Sequence, residues 1–401
     1  MDESMWVIWM LVSIPLVLIM TPGLAFFYGG LVKAKSVVSM MMLSFGSMGL
    51  ITVLWVLYGN NMAVISGNEL IAKFVGQPGP LAQSGVAGAD LIPVAFGATF
   101  AIITVALISG AVADRAKFFP WLIFAGAWAT LSYFPVAGWV WGGGWVGTFG
   151  EDFSLPEVID LAGGTAVHIN AGAAALALAL VLGQRREGFS KTDATPHNVP
   201  LVLIGAALLW FGWFGFNAGV ATDSDTAGLI MLNTMIAPAA GILGYLLVEH
   251  RKDGKATAVG AASGVVAGLV AITPSAANLT PFWAVVLGAL AGVACAFAIE
   301  LKFKMGYDDS LDVVGLHLVA GFIGTIFLGF FGTDVGLFTG GNGAQLISQT
   351  VPALAVAIYA FATAWAIAWL ISKTIGFRAK EDDEIAGLDL ALHGGRGYFF
   401  E

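Results

Sequence analysis

Apolar runs of about 20 residues recur along the whole 401-residue chain, each long enough to cross a hydrocarbon core of about 30 Å as a helix. Within lipid every backbone N–H and C=O must be paired inside the protein, and only helices and closed barrels achieve that. The strands of a barrel would alternate in polarity at every second residue, and these runs do not. Composition agrees: 58% of the residues are hydrophobic and 11% charged, whereas soluble domains carry about a quarter charged. The expected fold is an all-α polytopic membrane protein.

Eleven spans are expected, at about 5–31, 36–58, 91–112, 118–139, 161–183, 199–220, 228–248, 257–273, 281–300, 310–332 and 350–373. An odd number puts the two termini on opposite sides. With the N-terminus outside, the inner loops and tail hold 16 of the 17 Lys and Arg residues, and only Lys73 falls outside. A missed or invented span would scramble this alternation, so the positive-inside bias supports N-out and C-in. The outer loops carry eleven acids: Asp2, Glu3, Glu69, Asp90, Glu151, Asp152, Glu157, Asp160, Asp223, Asp225 and Asp334. Such a mouth would concentrate cations, though salt screens it over about 10 Å. Outer loops that merely lack Lys and Arg would look the same. The start MDESMW has no basic segment, so no cleaved signal peptide is expected. The single cysteine, Cys295, allows no intrachain disulfide.

Two stretches repeat one puzzle, a histidine inside an apolar run: LAGGTAVHINAG (161–172) and GLHLVAG (315–321). Asp160 lies eight residues before His168, and Asp309 eight before His317; Ala171-Gly172 follows the first and Ala320-Gly321 the second. Five spans separate them, so the halves insert in opposite senses. That is the pattern of inverted repeats with a site near the midplane, here about 5–183 and 199–332. The span at 350–373 is then an extra helix. Residues 1–375 read as one membrane domain and 376–401, charged and polar, as a cytoplasmic regulatory tail. The 53 glycines suit close helix packing, and Pro22-Gly23 in TPGLAFFYGG marks a kink in the first span.

Intramembrane ionisable residues are costly and usually face a partner or a pathway. One isolated histidine is more often a satisfied core residue, but His168 and His317 hold repeat-related positions. Two adjacent neutral imidazoles can share a proton, one nitrogen donating and the other accepting. His197, His250 and His393 fall in inner segments, where a solvated or capping role is the default. Asp160 can favour a bound cation or cap the following helix, and a mixed role is expected. With 28 Phe and 13 Trp, composition alone selects no ring.

The segments FGATFAIITVALISGAVADRAKF, WVWGGGW and WFGWFGFNAG, with AGGTAVHINAG, GLHLVAG and the tail GLDLALHGGRGY, resemble the Amt/Mep/Rh ammonium transporter family on its Amt branch. The resemblance covers essentially the whole chain. It implies a trimer of eleven-helix protomers, each with its own narrow pore in the cell membrane. Phe100 and Trp141 match the outer ammonium-recruitment site, and Phe100 and Phe216 the stacked pair that gates the pore. His168 and His317 match the twin histidines, Trp213 a pore-lining ring, and Asp160 the carboxylate supporting the site. Ammonium resembles potassium in size and charge, but it donates directed hydrogen bonds and can lose a proton. Recognition of the cation, deprotonation near the Phe gate and passage of ammonia past the histidines follow as the implied mechanism, with the proton moving separately.

Three positions depart from the family pattern: Val220 stands where a recruitment-site serine is usual, Leu318 where a glycine follows the second histidine, and Gly395 where an acid is common in the tail. Leu318 is expected to narrow the pore or tighten a helix interface. Val220 keeps a second reading open, an ammonium sensor on the Amt scaffold that binds without appreciable transport and signals through a domain beyond its C-terminus. A neutral-gas channel is a third, against which Trp141 and the Phe pair argue. The resemblance also implies a PII-type signalling protein at the inner face, near Arg185, Arg186 and Arg251. No nucleophile–base set, phosphate loop or metal-ligand cluster is recognisable, so neither enzyme activity, nor a cofactor, nor a nucleic-acid partner is expected.

Overall fold

The computed structural model describes residues 2–65, 73–77, 79–187, 189–190 and 195–399; Glu69 and Lys191 lie outside the described residues. Among the described residues ten helices are long and apolar enough to cross a membrane: α1 (Glu3–Leu31), α2 (Ala34–Met62), α3 (Leu91–Val112), α4 (Phe118–Val140), α5 (Gly164–Leu182), α6 (Val199–Ala218), α7 (Ser224–Asp253), α9 (Pro281–Met305), α10 (Val314–Phe331) and α11 (Ala344–Thr374). Between α7 and α9 lies α8 (Ala258–Ile272), apolar but only 15 residues long. At 1.5 Å per residue it covers about 22 Å, so ten helices qualify by length where eleven spans are expected. Its chain continues through buried turns at Thr273 and Ser275. Among the described residues the only extended pairing is one bridge, Ala116 to Arg378.

Local chemistry sets the helix ends. Asp2, Asn198, Asp223 and Thr257 each accept a hydrogen bond from a backbone amide in the first turn that follows, and α9 opens with Pro281 at its first position, where the missing N–H costs nothing. The kink in α1 falls at Ile19, one turn before Pro22, because Pro22 has no N–H for the Leu18 carbonyl.

Small residues let the second half pack backbone to backbone. A Cβ at Gly288 or Gly292 of α9 would run into the α7 carbonyls of Ala237 and Gly241. A buried stripe of alanines on α11, Ala353, Ala360, Ala364 and Ala368, faces inward in the same way.

The tail folds back onto one end of the bundle as α12 (Glu381–Ala386) and α13 (Leu388–His393). It enters by pairing with the α3–α4 connection, Lys117 N donating to Phe377 O at 3.0 Å and Ala379 N to Arg115 O at 2.8 Å. Arg378 and Glu384 form a two-bond pair at 2.9 and 2.7 Å, and Glu384 also accepts the Arg186 amide at 2.6 Å. Asp389 receives the amides of Val38 and Ser39 at the start of α2. Beneath this clamp Arg115, fully buried, donates to the Ser310 hydroxyl and the Asp308 carbonyl. Asp308 in turn takes Arg185 through two side-chain bonds at 2.9 and 3.0 Å. Burial pushes the Arg115 guanidinium down to about 10, against the opposing pull of Asp308.

Candidate functional site

Opposite the tail, the starts of α1 and α3 and the ends of α2, α4 and α6 enclose a cavity of about 350 Å³. Phe100, Trp141 and Val220 all line it, together with Phe96, Trp55 and Tyr133. Trp141 stands at the mouth, 40% exposed, and meets Phe100 edge-on at 5.9 Å. Its indole N–H donates to the Asp160 carbonyl at 2.9 Å, which leaves the ring faces to the cavity.

Asp160 is buried, and its carboxylate accepts four backbone amides: Gly163 and Gly164 on one oxygen at 3.0 and 2.6 Å, Thr165 and Ala166 on the other at 2.9 and 3.1 Å. Burial pushes this carboxyl above its ordinary value and the four amides pull it back. Both oxygens face the start of α5 and not the cavity. Asp160 therefore positions Trp141 through its carbonyl and the His168 segment through its side chain. Gly163, at φ 113°, makes the turn between them.

Phe100, which lines the cavity, stacks on Phe216 at 4.1 Å with 12° between planes. Below them lies a chamber with only about 10 Å³ of free space, lined by His168, His317, Trp213, Phe216 and apolar residues of α1, α3, α6 and α8. That is the scale of one water molecule, about 10–15 Å³ by the same measure. His168 and His317 face each other with Nδ1 atoms 3.2 Å apart, so one donates and the other accepts. The Nε2 of His168 is buried without a protein partner. Trp213 stacks on His168 at 5.4 Å, and its N–H donates to Thr273 at 2.8 Å, fixing the ring.

Both histidines sit on π-helical turns, Gly164–Ile169 and Val314–Val319. Two more such turns, Trp55–Gly59 in α2 and Ala129–Tyr133 in α4, carry cavity-lining rings. An extra residue in a turn re-aims the side chains beside it, and functional sites use this often.

The structure decides between the two expectations for Leu318 and adds one residue. Leu318 sits at a helix interface and not in the chamber: its backbone and Cβ pack on Gly172 of α5, and its side chain joins Phe322 and Ile326 in an apolar groove on the other side of α10. Neighbouring positions on a helix point about 100° apart, so a residue beside an inward histidine turns away. Phe96, absent from the sequence reading, packs on Phe100 at 4.9 Å; the spacing of four in FGATF could have found it. Elsewhere, His197 is half-buried between the Val32 carbonyl and the Tyr398 hydroxyl, at 2.7 and 2.9 Å. His393 packs on Phe118 at 5.6 Å, and His250 is exposed near the end of α7. Among the described residues no group of three His, Cys, Asp or Glu side chains could hold a metal ion.

Comparisons with known proteins agree on one family. The model of the Ammonium Transporter Family matches residues 8–398. An ammonium transporter of Mycobacterium tuberculosis is 50% identical, the match covering 98% of this chain and 90% of that protein. An ammonium transporter of Bacillus subtilis is 43% identical with 96% of each covered. Among solved structures, Candida albicans Mep2 superposes with a TM-score of 0.86 at 31% identity, over 96% of this chain and 88% of that one. A structure described as a sensor Amt protein gives 0.88 at 25% identity, over 96% and 97%.

Proposed function

The chain belongs to the ammonium transporter family, and on that premise we propose that it carries ammonium across a cell membrane as ammonia and a separate proton. One observation carries this reading. Phe100 belongs to the lining of the wide cavity and Phe216 to that of the narrow chamber, and the two rings are stacked on each other. The wide side offers Phe96, Phe100 and Trp141, whose faces attract a cation by about 0.5–2 kcal/mol without a fixed charge that would trap it. The narrow side offers no anion, and moving an intact cation there costs several kcal/mol. Ammonium avoids most of that cost by leaving its proton behind, which potassium cannot do. The histidine pair then gives ammonia polar company inside an apolar passage and a route for the proton.

The membrane arrangement in this proposal has eleven spans, α8 being the short one, in two inverted halves with α11 added. The cavity faces outward and the tail lies in the cytoplasm, an orientation supported by the distribution of Lys and Arg. Three protomers associate, each with its own pore, and the tail clamp on the α3–α4 connection and Arg186 is the regulatory handle. A PII-type protein would dock beside it on the basic loops. As for its transporter relatives, no catalysis of a chemical reaction is proposed.

A sensor is the second reading, favoured by the superposition on the sensor Amt protein and by Val220, which offers ammonium no acceptor in the cavity. Uptake of isotope-labelled ammonium into liposomes separates the two. Transport predicts uptake above that of protein-free liposomes. Calorimetric binding with no uptake would leave the sensor standing and remove the transporter.

A further inference from the structure

The two halves of the chain surround their aspartates on one plan and finish it with different chemistry. In the first half the indole N–H of Trp141, at the end of α4, donates to the Asp160 carbonyl at 2.9 Å. In the second the ammonium group of Lys302, near the end of α9, donates to the Asp309 carbonyl at 2.8 Å. The helices around them correspond as well. A Cβ on Gly97 of α3 would meet Trp55 of α2, and one on Gly260 of α8 would meet Glu249 of α7. Six residues after each of these glycines, Ile103 and Val266 line the histidine chamber. Trp55, Gly97 and Trp141 line the aromatic cavity. Glu249, Gly260 and Lys302 line a cavity of about 190 Å³ at the tail end.

The side chain of Lys302 is 5% exposed. Its Nζ meets three groups that recognise an ammonium nitrogen: the Asp309 carbonyl at 2.8 Å, the Asp312 carboxylate at 2.6 Å and the ring of Phe303, 5.3 Å to the centroid. The two oxygens accept N–H bonds, and the ring face attracts the positive charge. A free ammonium ion would find the same three partners there, but the nitrogen in place is tethered. Other charges along this cavity are matched within the chain. The Glu249 carboxylate takes the Thr257 amide and hydroxyl at 2.9 and 2.8 Å, and Lys252 pairs with Glu300.

We propose that the tail-end cavity contains an ammonium site that the chain fills itself, the Lys302 nitrogen holding the place of a free ion, so that binding of ammonium is confined to the aromatic cavity. The inference rests on ammonium being the ion that the protein carries. Left vacant, the site would hold ions more firmly than the aromatic cavity does, because Asp312 supplies a full negative charge where Trp141 and Phe100 supply only ring faces. Ammonium would then be retained at the end where transport has to release it. Lys302 removes that retention while keeping the buried oxygens of Asp309 and Asp312 hydrogen-bonded.

The test counts ammonium sites by calorimetric titration of the intact protein with ammonium chloride. Lys302→Met removes the tethered cation and should bind one ammonium ion per chain more than the wild type. Lys302→Arg, which keeps a fixed cation, should match the wild type. Adding Asp312→Asn to Lys302→Met should abolish the extra site, which a mere loosening of the fold would not do. Melting temperature is the second readout: ammonium should raise it more in Lys302→Met than in the wild type, the free ion replacing the missing one. If methionine is not tolerated, Lys302→Gln, uncharged and still able to donate to the Asp309 carbonyl, should add the same site. Neutral variants with no extra site and no greater gain in melting temperature would overturn the inference, as would an extra site that survives Asp312→Asn. A wild-type protein that takes up no ammonium into liposomes would instead remove the transport reading, and the comparison of site numbers would still judge Lys302.

Discussion

One pair of stacked rings separates two spaces that differ in every property relevant to a cation. The aromatic cavity has about 350 Å³ and is lined by Trp55, Phe96, Phe100, Tyr133 and Trp141; the histidine chamber has about 10 Å³ and two imidazoles among aliphatic and aromatic walls. An ammonium ion with part of its water shell fits the first, and a single molecule of ammonia or water fits the second. On the proposed transport reading, this contrast divides selection between the two spaces. In that proposal the cavity selects for positive charge but cannot tell ammonium from potassium by charge alone, and the chamber admits what can become neutral.

That division can be broken from either side. The largest effect is expected at the chamber: His168→Ala removes one half of the 3.2 Å pair and should cut ammonium-evoked current by roughly a hundredfold. A current left intact would show that the proton does not use the histidines. Next comes the partition. Phe216→Ala joins the two spaces, and selectivity for ammonium over potassium, read from reversal potentials, should drop at least about tenfold as hydrated ions enter. Unchanged selectivity would place discrimination elsewhere.

Smaller effects sharpen the description of the cavity. Trp141→Leu removes one cation–π face worth about 0.5–2 kcal/mol, so half-saturating ammonium should rise by roughly 2- to 30-fold with little change at saturation. Val220→Ser should act in the opposite direction. One hydroxyl acceptor is worth about 0.5–1.5 kcal/mol net, and half-saturating ammonium should fall by roughly 2- to 10-fold. A serine without effect would mean that the cavity rings and water already satisfy the ion.

The helical architecture and the histidine pair were legible because both are periodic. Span-length apolar runs and a histidine eight residues after an aspartate survive in a one-dimensional string. Side-chain direction is not so preserved. For Leu318 the sequence left pore narrowing and a tighter helix interface both open, and only the direction of its side chain, toward the Phe322 groove, decides for the interface. Asp160 read as half a cation ligand, and only the amides of residues 163–166 reveal that both oxygens are committed. Asp309 matched it in spacing, yet its carboxylate takes the Val314 amide at 2.7 Å while its carbonyl accepts from Lys302, where that of Asp160 accepts from Trp141. Phe96 was hidden among 28 phenylalanines, and the π turns that aim the rings leave no mark that residue types alone disclose.

Current across liposomes containing the purified protein, after an ammonium jump and then a potassium jump of equal size, tests the division of labour most directly. The account predicts a sustained ammonium current and none for potassium. Equal currents for both ions would contradict it, because an intact cation would then be crossing the histidine chamber.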